Sequence, residues 1–239
     1  MKQLLLKGFL YFSLFFAVEG LGLSGATSVS RAGGGSKCML FFTGGSNLFQ
    51  HDIYSEFIEE MESRDIDVYE VPFQHCVSQE NIDELYSKDK YQYSSVNVMG
   101  HSSGCTTLLN QCCKLRGINH VFLLDPVNTK FSKDKWNIKG VFESLSFIHA
   151  MKSYKITFDP FGLPFIPIFK LTTENLNIGE IELWELEISN YGHSDILNQP
   201  LADFMHKTRL SVGNKNRGVE AKKAYFDTIL SFMETFMDD

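Results

Sequence analysis

Short apolar runs alternate with stretches of helical period along most of this chain, and this alternation constrains its fold more than any other feature of the sequence. The apolar runs predict six strands, at residues 37–43, 67–73, 95–100, 120–125, 153–159 and 181–188. Residues 53–64 and 218–237 carry apolar side chains at the spacing of one helix face. This pattern is typical of a mostly parallel sheet with helices on both faces. We therefore predict a single α/β domain over residues 38–239.

Composition and charge narrow the classes of function. The chain has 239 residues, of which 44% are hydrophobic and 21% charged, a balance that suits one globular domain with one core. The net charge is −7 and the 22 Lys and Arg residues form no long run. Because phosphate binding requires clustered basic residues, we expect no nucleic-acid partner.

The five cysteines argue against a metal site, because they form no Cys-x-x-Cys pair and have no Cys/His ligand spacing. Cys105 and Cys112 bracket two leucines at the i+3 and i+4 positions of a helical stripe, so we predict that both are small core residues. The pattern does not decide whether Cys38, Cys76 and Cys113 are core residues or form disulfides. We expect neither a metal nor an organic cofactor.

The first residues differ in character from the rest of the chain. Lys2 and Lys7 precede an uncharged, mainly apolar run at residues 8–18, which small residues follow. This order is typical of a signal peptide, and the run is too short to cross a hydrocarbon layer about 30 Å thick as a helix. We therefore interpret residues 1–27 as a signal peptide or targeting leader and residues 28–37 as a disordered linker.

Residues 100–104 read Gly-His-Ser-Ser-Gly and stand between a predicted strand and a predicted helix. In this setting a sharp strand-to-helix turn lifts the central serine above the sheet, and glycines flank it because the turn crowds the backbone. Ser102 is therefore the candidate nucleophile, and Ser103 is predicted to offer its main-chain N–H to an oxyanion hole. The alternative is a glycine turn with solvent-exposed serines.

An oxyanion hole needs a second main-chain N–H, normally from the loop after the first core strand. Gly44 and Gly45 follow that predicted strand and leave the backbone unobstructed by side chains. We assign the second donor to Gly45 or to its neighbours Gly44 and Ser46. A simple Gly-Gly turn is the alternative.

A serine hydroxyl needs a general base near neutral pH, and the base needs an orienting carboxylate. His193 directly follows the last predicted strand, a position that the other six histidines do not share. It is the candidate base, although a histidine there could also cap the following helix. Asp125 and Asp159 each end a predicted strand between the serine and the histidine. A proline follows each aspartate, so each could be a turn former, and the residues alone leave the acid open.

Four stretches of residues 38–236 resemble the chlorophyllase family of the α/β-hydrolase superfamily. They are the Gly-Gly loop and its surroundings at residues 39–73, the Gly-His-Ser motif in VMGHSSG, the aspartate-proline element in LLDPV and the Tyr-Gly-His motif in YGHSDILN. The resemblance implies an α/β-hydrolase fold with about six strands, reduced at its N-terminal edge. It also implies a triad of Ser102, Asp125 and His193, which favours Asp125 over Asp159.

The resemblance implies that the chain is an ester hydrolase and that it cleaves chlorophyll to chlorophyllide and phytol. It departs from the family at the rim of the site, where Thr43 precedes Gly44 in place of a usual histidine and Ser103 stands where an arginine is usual. Platelet-activating-factor acetylhydrolases carry the aspartate of the triad at the same place as chlorophyllases, so the sequence resembles them in this respect as well. A lipase or esterase for another lipid or small ester, and a binding protein that has lost turnover, are the alternatives.

Residues 158–169 contain three prolines, which exclude a regular helix, and several large apolar side chains. The candidate substrate-binding residues in this stretch are Phe161, Leu163, Phe165 and Ile166. They suit a lid or wall for a long apolar alcohol, with peripheral contact to a membrane, whereas a loop packed on the core is the alternative. Together, the leader and a pigment substrate predict that the protein is located in a plastid and reaches it through the secretory route. Secretion or location in an endomembrane lumen is the alternative.

Overall fold

Strands and helices alternate from Lys37 onward in a computed structural model of the chain. It describes residues 37–44, 53–72, 75–87, 92–127, 135–138, 142–153, 170–207, 211–214 and 218–238. The strands are β1 (Lys37–Phe42), β2 (Ile66–Val71), β3 (Ser95–His101), β4 (His120–Leu124), β5 (Trp136–Asn137), β6 (Ser144–Ala150), β7 (Leu176–Asn177) and β8 (Glu182–Ile188). The helices are α1 (Ser55–Glu62), α2 (Gln79–Tyr86), α3 (Gly104–Cys112), α4 (Gln199–Lys207) and α5 (Val219–Met237), with a single 3-10 turn at Thr173–Asn175.

Six strands form one sheet in the order β2-β1-β3-β4-β6-β8. Every neighbouring pair is parallel, so each connection crosses over the sheet. Within the described ranges, β2 is the edge strand on the N-terminal side, and β5 and β7 form a separate two-stranded sheet. A parallel sheet with a strand–turn–helix elbow after β3 is the arrangement of an α/β-hydrolase fold, which confirms the predicted fold class.

The hydrophobic core lies on both faces of the sheet because successive side chains of a strand point to opposite sides. In β1, Leu40 and Phe42 face the layer of α2 and α3, while Met39 and Phe41 face the layer of α1 and α5. All four side chains are buried. Full burial of such a side chain stabilises the fold by about 1.5–3 kcal/mol, so β1 is firmly anchored between the two helix layers.

One strand of the sheet was not predicted, and one predicted strand lies almost entirely outside the described residues. Of the predicted strand at residues 153–159, only Ser153 lies within the described residues, and it belongs to a turn. The strand between β4 and β8 is β6, which the sequence did not predict. Its serines are unusual for a buried strand, but Ser144 is bonded through its hydroxyl group to His120 Nδ1, at 2.9 Å, and so is satisfied inside the core.

The other strand predictions and both helix predictions are confirmed to within a few residues at each end. Cys105 and Cys112 are fully buried on α3, as predicted for core residues. All five cysteines lie in the described ranges, and all five are free thiols. The predicted leader at residues 1–27 and residues 28–36 of the predicted linker lie outside those ranges, whereas Lys37, the last residue assigned to the linker, is the first residue of β1. No helix among the described residues combines the length and the apolar character needed to span a membrane.

Candidate active site

The turn after β3 holds Ser102 in a strained conformation at the carboxyl edge of the sheet. Its φ is +57°, in the left-handed region that non-glycine residues seldom adopt. The flanking glycines are required by close packing. A Cβ atom on Gly104 would collide with the carbonyl oxygens at the end of β1, and one on Gly100 would lie 2.8 Å from the Cα of Cys105. The structure thus confirms the predicted elbow and the reason for its glycines.

The structure brings Ser102, His193 and Asp125 together, although the serine and the histidine are separated by 91 residues of sequence. His193 Nε2 lies 2.8 Å from Ser102 Oγ, and His193 Nδ1 is hydrogen bonded to Asp125 Oδ2. Ser102 follows β3, Asp125 follows β4 and His193 lies in the loop after β8. These three strands end at the same edge of the parallel sheet. An aspartate, an imidazole and a serine hydroxyl in this order have the arrangement of a nucleophilic triad.

Asp125 is held by its main chain as well as by His193. Its N–H donates to the carbonyl of Ile148 in β6 at 2.7 Å, and its φ of +43° turns the side chain at the end of β4. Burial alone would raise the pKa of its carboxyl group. The hydrogen bond and charge of His193, together with the Lys170 ammonium 3.9 Å from Oδ1, instead lower that pKa below its ordinary value. Asp125 is therefore ionised at neutral pH.

A second carboxylate fixes the loop that carries His193. Asp195 Oδ2 accepts the N–H groups of Gly192 and Asn214, both at 2.8 Å. Its other oxygen lies 3.1 Å from His206 Nε2. Sequence reasoning noted this aspartate only as part of the Tyr-Gly-His resemblance. Its position two residues after His193 was the only local sign of this role. Its partners Asn214 and His206 are distant in sequence, so their contacts with Asp195 could not be predicted.

His101 and Tyr54 form a buried pair beneath the triad, and sequence reasoning missed both of their contacts. The Tyr54 hydroxyl lies 2.8 Å from His101 Nδ1, and His101 Nε2 lies 3.2 Å from the main-chain oxygen of His193. Burial and the neighbouring His193 lower the pKa of His101 to about 3, so its ring is neutral. Burial raises the pKa of Tyr54, which keeps its hydroxyl group protonated.

The candidate oxyanion loop passes directly beside the nucleophile. A Cβ atom on Gly44 would lie 2.7 Å from the Cβ of Ser102, so only glycine permits this approach. The Gly44 N–H donates to the Tyr54 hydroxyl at 3.3 Å, so this N–H is directed toward the core. Gly45 and Ser46 lie outside the described residues, and Ser103 immediately precedes α3.

The remaining predicted site residues also lie outside the described part of the chain. These are the alternative acid Asp159 and the candidate substrate-binding residues Phe161, Leu163, Phe165 and Ile166. The residues that flank this segment are described, and both flanks lie beside the triad. The N–H of Lys152, shortly before the segment, donates to the carbonyl of Tyr191 at 2.8 Å, and Lys170, directly after it, forms a bridge with Val127.

A cavity of about 810 Å³ lies at the opposite, amino edge of the sheet. Asn119, Asn137, Asn177 and Glu143 contribute polar groups to its lining, and no member of the triad borders it. We regard the triad as the candidate active site because its groups are aligned for chemistry, whereas the polar groups of the cavity bond to one another. Within the described ranges, no three His, Cys, Asp or Glu side chains lie close enough together to hold a metal ion.

No protein-family model matches the chain, and no curated protein matches its sequence. Among solved structures, the chain is similar to an esterase of Pyrococcus furiosus, with 10% identity and a TM-score of 0.45 over 85% of this chain and 83% of that one. It is also similar to the esterase domain of a Rhodothermus marinus protein, with 10% identity and a TM-score of 0.41 over 74% of this chain and 85% of that one.

Proposed function

We propose that this protein is a serine carboxylic-ester hydrolase. The observation that carries the proposal is the unbroken set of hydrogen bonds from Asp125 through His193 to Ser102, with 2.8 Å between His193 Nε2 and Ser102 Oγ. A hydrogen bond of this length allows direct transfer of the serine proton to the imidazole. The strained φ of Ser102 supports the same role, because it projects the hydroxyl group beyond the edge of the sheet.

The reaction proceeds in two steps. Ser102 Oγ attacks the ester carbonyl while His193 Nε2 takes its proton, and Asp125 stabilises the imidazolium that forms. The tetrahedral intermediate then collapses to an acyl-enzyme, and His193 returns the proton to the departing alcohol. Water, activated by the same histidine, attacks the acyl-enzyme and releases the acid.

The developing negative charge on the carbonyl oxygen needs main-chain donors next to Ser102. We assign them to the N–H groups of Ser103 and Gly45. Gly44 is the less suitable donor of the predicted loop, because its N–H is bonded to the Tyr54 hydroxyl. Its contribution is instead the close approach of its own backbone to Ser102, which a side chain would prevent.

We assign the substrate class to esters of a long apolar alcohol, with chlorophyll as the favoured member. The resemblance of the sequence motifs to chlorophyllases supports this assignment. The apolar segment with Phe161 and Phe165 supports it as well, because the residues on both sides of that segment lie beside the triad. Large apolar side chains of this kind bind a phytyl chain through burial of its surface.

The first experiment measures hydrolysis of short-chain p-nitrophenyl esters by the purified protein and by Ser102→Ala. We expect Ser102→Ala to lower kcat by about 10³-fold or more, because the residual rate of a triad enzyme comes from the oxyanion hole and binding alone. Ser231→Ala, an exposed serine on α5, is the matched control and should keep full activity. Equal rates for wild type and Ser102→Ala would refute the nucleophile, and a wild type without activity on either these esters or chlorophyll would indicate a binding protein.

The second experiment measures release of chlorophyllide from chlorophyll in detergent micelles. We expect release by the wild type, and a KM for chlorophyll at least about tenfold higher in Phe161→Ser/Phe165→Ser, since the loss of even one of the two phenyl contacts costs about that much binding. The same variant should hydrolyse p-nitrophenyl acetate at the wild-type rate. Cleavage of simple esters without chlorophyllide release would instead identify an esterase of another substrate class.

A further inference from the structure

Four groups beneath the triad form one continuous chain of hydrogen bonds. The main-chain oxygen of His193 lies 3.2 Å from His101 Nε2, and His101 Nδ1 lies 2.8 Å from the Tyr54 hydroxyl. The same hydroxyl oxygen lies 3.3 Å from the N–H of Gly44. The chain therefore connects the loop that carries the proposed base with the loop that leads to the proposed oxyanion donor.

The positions of the protons along this chain follow from its ends. A carbonyl oxygen only accepts, so His101 Nε2 must carry the proton that it donates to His193. The buried ring is neutral, so Nδ1 is left as an acceptor and the Tyr54 hydroxyl donates to it. The Tyr54 oxygen then accepts the N–H of Gly44. Every donor in the chain thus has an acceptor, and one tautomer of His101 satisfies all of them.

The two side chains at the centre have little freedom to move. Tyr54 and His101 are 2% and 3% exposed, so water does not compete for their hydrogen bonds. The Tyr54 ring packs edge-on against Phe41, with 4.9 Å between ring centroids. The main-chain carbonyl of Tyr54 accepts hydrogen bonds from the N–H groups of Phe57 and Ile58 in the first turn of α1. The His101 ring lies 4.6 Å from the His193 ring. The pair thus joins a rigid helix end to the two loops of the site.

We propose that Tyr54 and His101 are positioning residues that hold His193 and the loop after β1 in register with Ser102. The inference rests on the proposed ester hydrolysis. The two residues affect that reaction through His193 and the loop after β1, and they do not contact the substrate. Their hydrogen bonds end on main-chain atoms of the two loops, so their loss would shift both loops against the nucleophile. A displacement near 1 Å in such a site lowers turnover by up to about 100-fold.

The test compares three variants in p-nitrophenyl butyrate hydrolysis. Tyr54→Phe keeps the ring and removes the hydroxyl group, and we expect kcat to fall about 10- to 100-fold while KM stays within about twofold. His101→Asn retains an acceptor for Tyr54 but is too short to reach the His193 carbonyl, and it should also lower kcat. Because both residues belong to one chain of hydrogen bonds, the fold-loss of kcat in the double variant should be much smaller than the product of the two single losses.

Tyr69→Phe is the matched control, because it also removes a buried hydroxyl group, which lies 2.9 Å from the Tyr93 hydroxyl on the other face of the sheet. We expect a similar fall in Tm for both tyrosine variants and an unchanged kcat for Tyr69→Phe. A Tyr54→Phe protein with wild-type kcat would overturn the inference. Equal losses of kcat in both tyrosine variants would overturn it as well, since they would indicate only general destabilisation.

A measurement without substrate tests the hydrogen bonds themselves, whether or not the protein hydrolyses an ester. Nitrogen-15 NMR of the wild-type imidazoles should show His101 neutral and protonated on Nε2 at pH 7, and a proton on Nδ1 would overturn the chain of hydrogen bonds. If the wild type hydrolyses no ester, the proposed function fails and the positioning role fails with it. If the wild type is active and Tyr54→Phe is equally active, the positioning role alone fails.

Discussion

At the scale of single residues, the sharpest question is which carboxylate serves His193. Asp125 is hydrogen bonded to His193 Nδ1, and its pKa is lowered, so it presents a charged acceptor that fixes the imidazole tautomer. We predict that Asp125→Asn lowers kcat by about 10⁴-fold, because an amide can donate to Nδ1 and so favours the wrong tautomer. Steady-state hydrolysis of a p-nitrophenyl ester measures this loss.

Asp159→Asn is the comparison, and we expect it to leave kcat within about twofold of the wild type, as substitutions outside the reacting groups usually do. A larger loss in Asp159→Asn than in Asp125→Asn would reverse the assignment. The circular dichroism spectrum and Tm of both variants show whether each one is folded.

Some of these residues could be predicted from the sequence and others could not. Ser102 stands two residues and His193 five residues after a predicted strand. Because strand ends in a parallel sheet meet at one edge, this local pattern was sufficient to select both. The acid stayed open because two aspartates met the same local criterion. Tyr54 and His101 could not be predicted as a pair, because their contact depends on how α1 packs under the elbow, across 47 residues of sequence.

At the scale of elements, the elbow works because β1, β3 and α3 pack closely. Gly104 begins α3 against the carbonyls of Phe42 and Thr43, and a Cβ atom there would lie 2.8 Å from the Thr43 oxygen. We predict that Gly104→Ala lowers the free energy of unfolding by about 1–3 kcal/mol, the usual cost of overpacking. It should also lower kcat, because the displaced end of β1 leads into the loop beside Ser102. Urea denaturation and ester hydrolysis measure the two effects.

Gly218→Ala serves as the control for that substitution. Gly218 precedes α5 with a φ of −69°, and no atom lies within 4 Å of the position of an added Cβ. We expect its free energy of unfolding to change by less than about 1 kcal/mol, the small effect of losing a glycine N-cap, with no change in kcat. Comparable losses in both variants would show that the packing around Gly104 is not what requires a glycine there.

The elements themselves differ in how far the sequence could predict them. β1 and β4 are continuous apolar runs buried on both faces, which is the clearest signal of a central parallel strand. β6 is equally buried but contains Ser144, Ser146 and His149, so its polarity concealed it. Its burial depends on partners such as His120 in the neighbouring strand, and such partners become visible only when the sheet is assembled.

At the scale of the whole molecule, the buried histidine under the elbow couples folding to pH. The pKa of His101 is about 3 in the folded protein, against 6.5 for an ordinary histidine. Between these values the unfolded chain binds a proton that the folded chain excludes, so acid favours unfolding. The lowered pKa of Asp125 acts in the same direction, because its stabilising contribution is lost as the pH falls through the pKa of the folded state.

We therefore predict that the free energy of unfolding falls as the pH is lowered from 6.5 toward 3, with up to about 1.4 kcal/mol per pH unit from His101 alone. Urea denaturation at pH 7, 6, 5 and 4 measures this slope. His101→Gln cannot take up a proton in this range and keeps a donor for the His193 carbonyl, so its slope should be shallower by that amount even if its stability at pH 7 is lower. Identical slopes in wild type and His101→Gln would show that His101 takes up its proton equally in both states, and that burial beneath the triad does not oppose its charge.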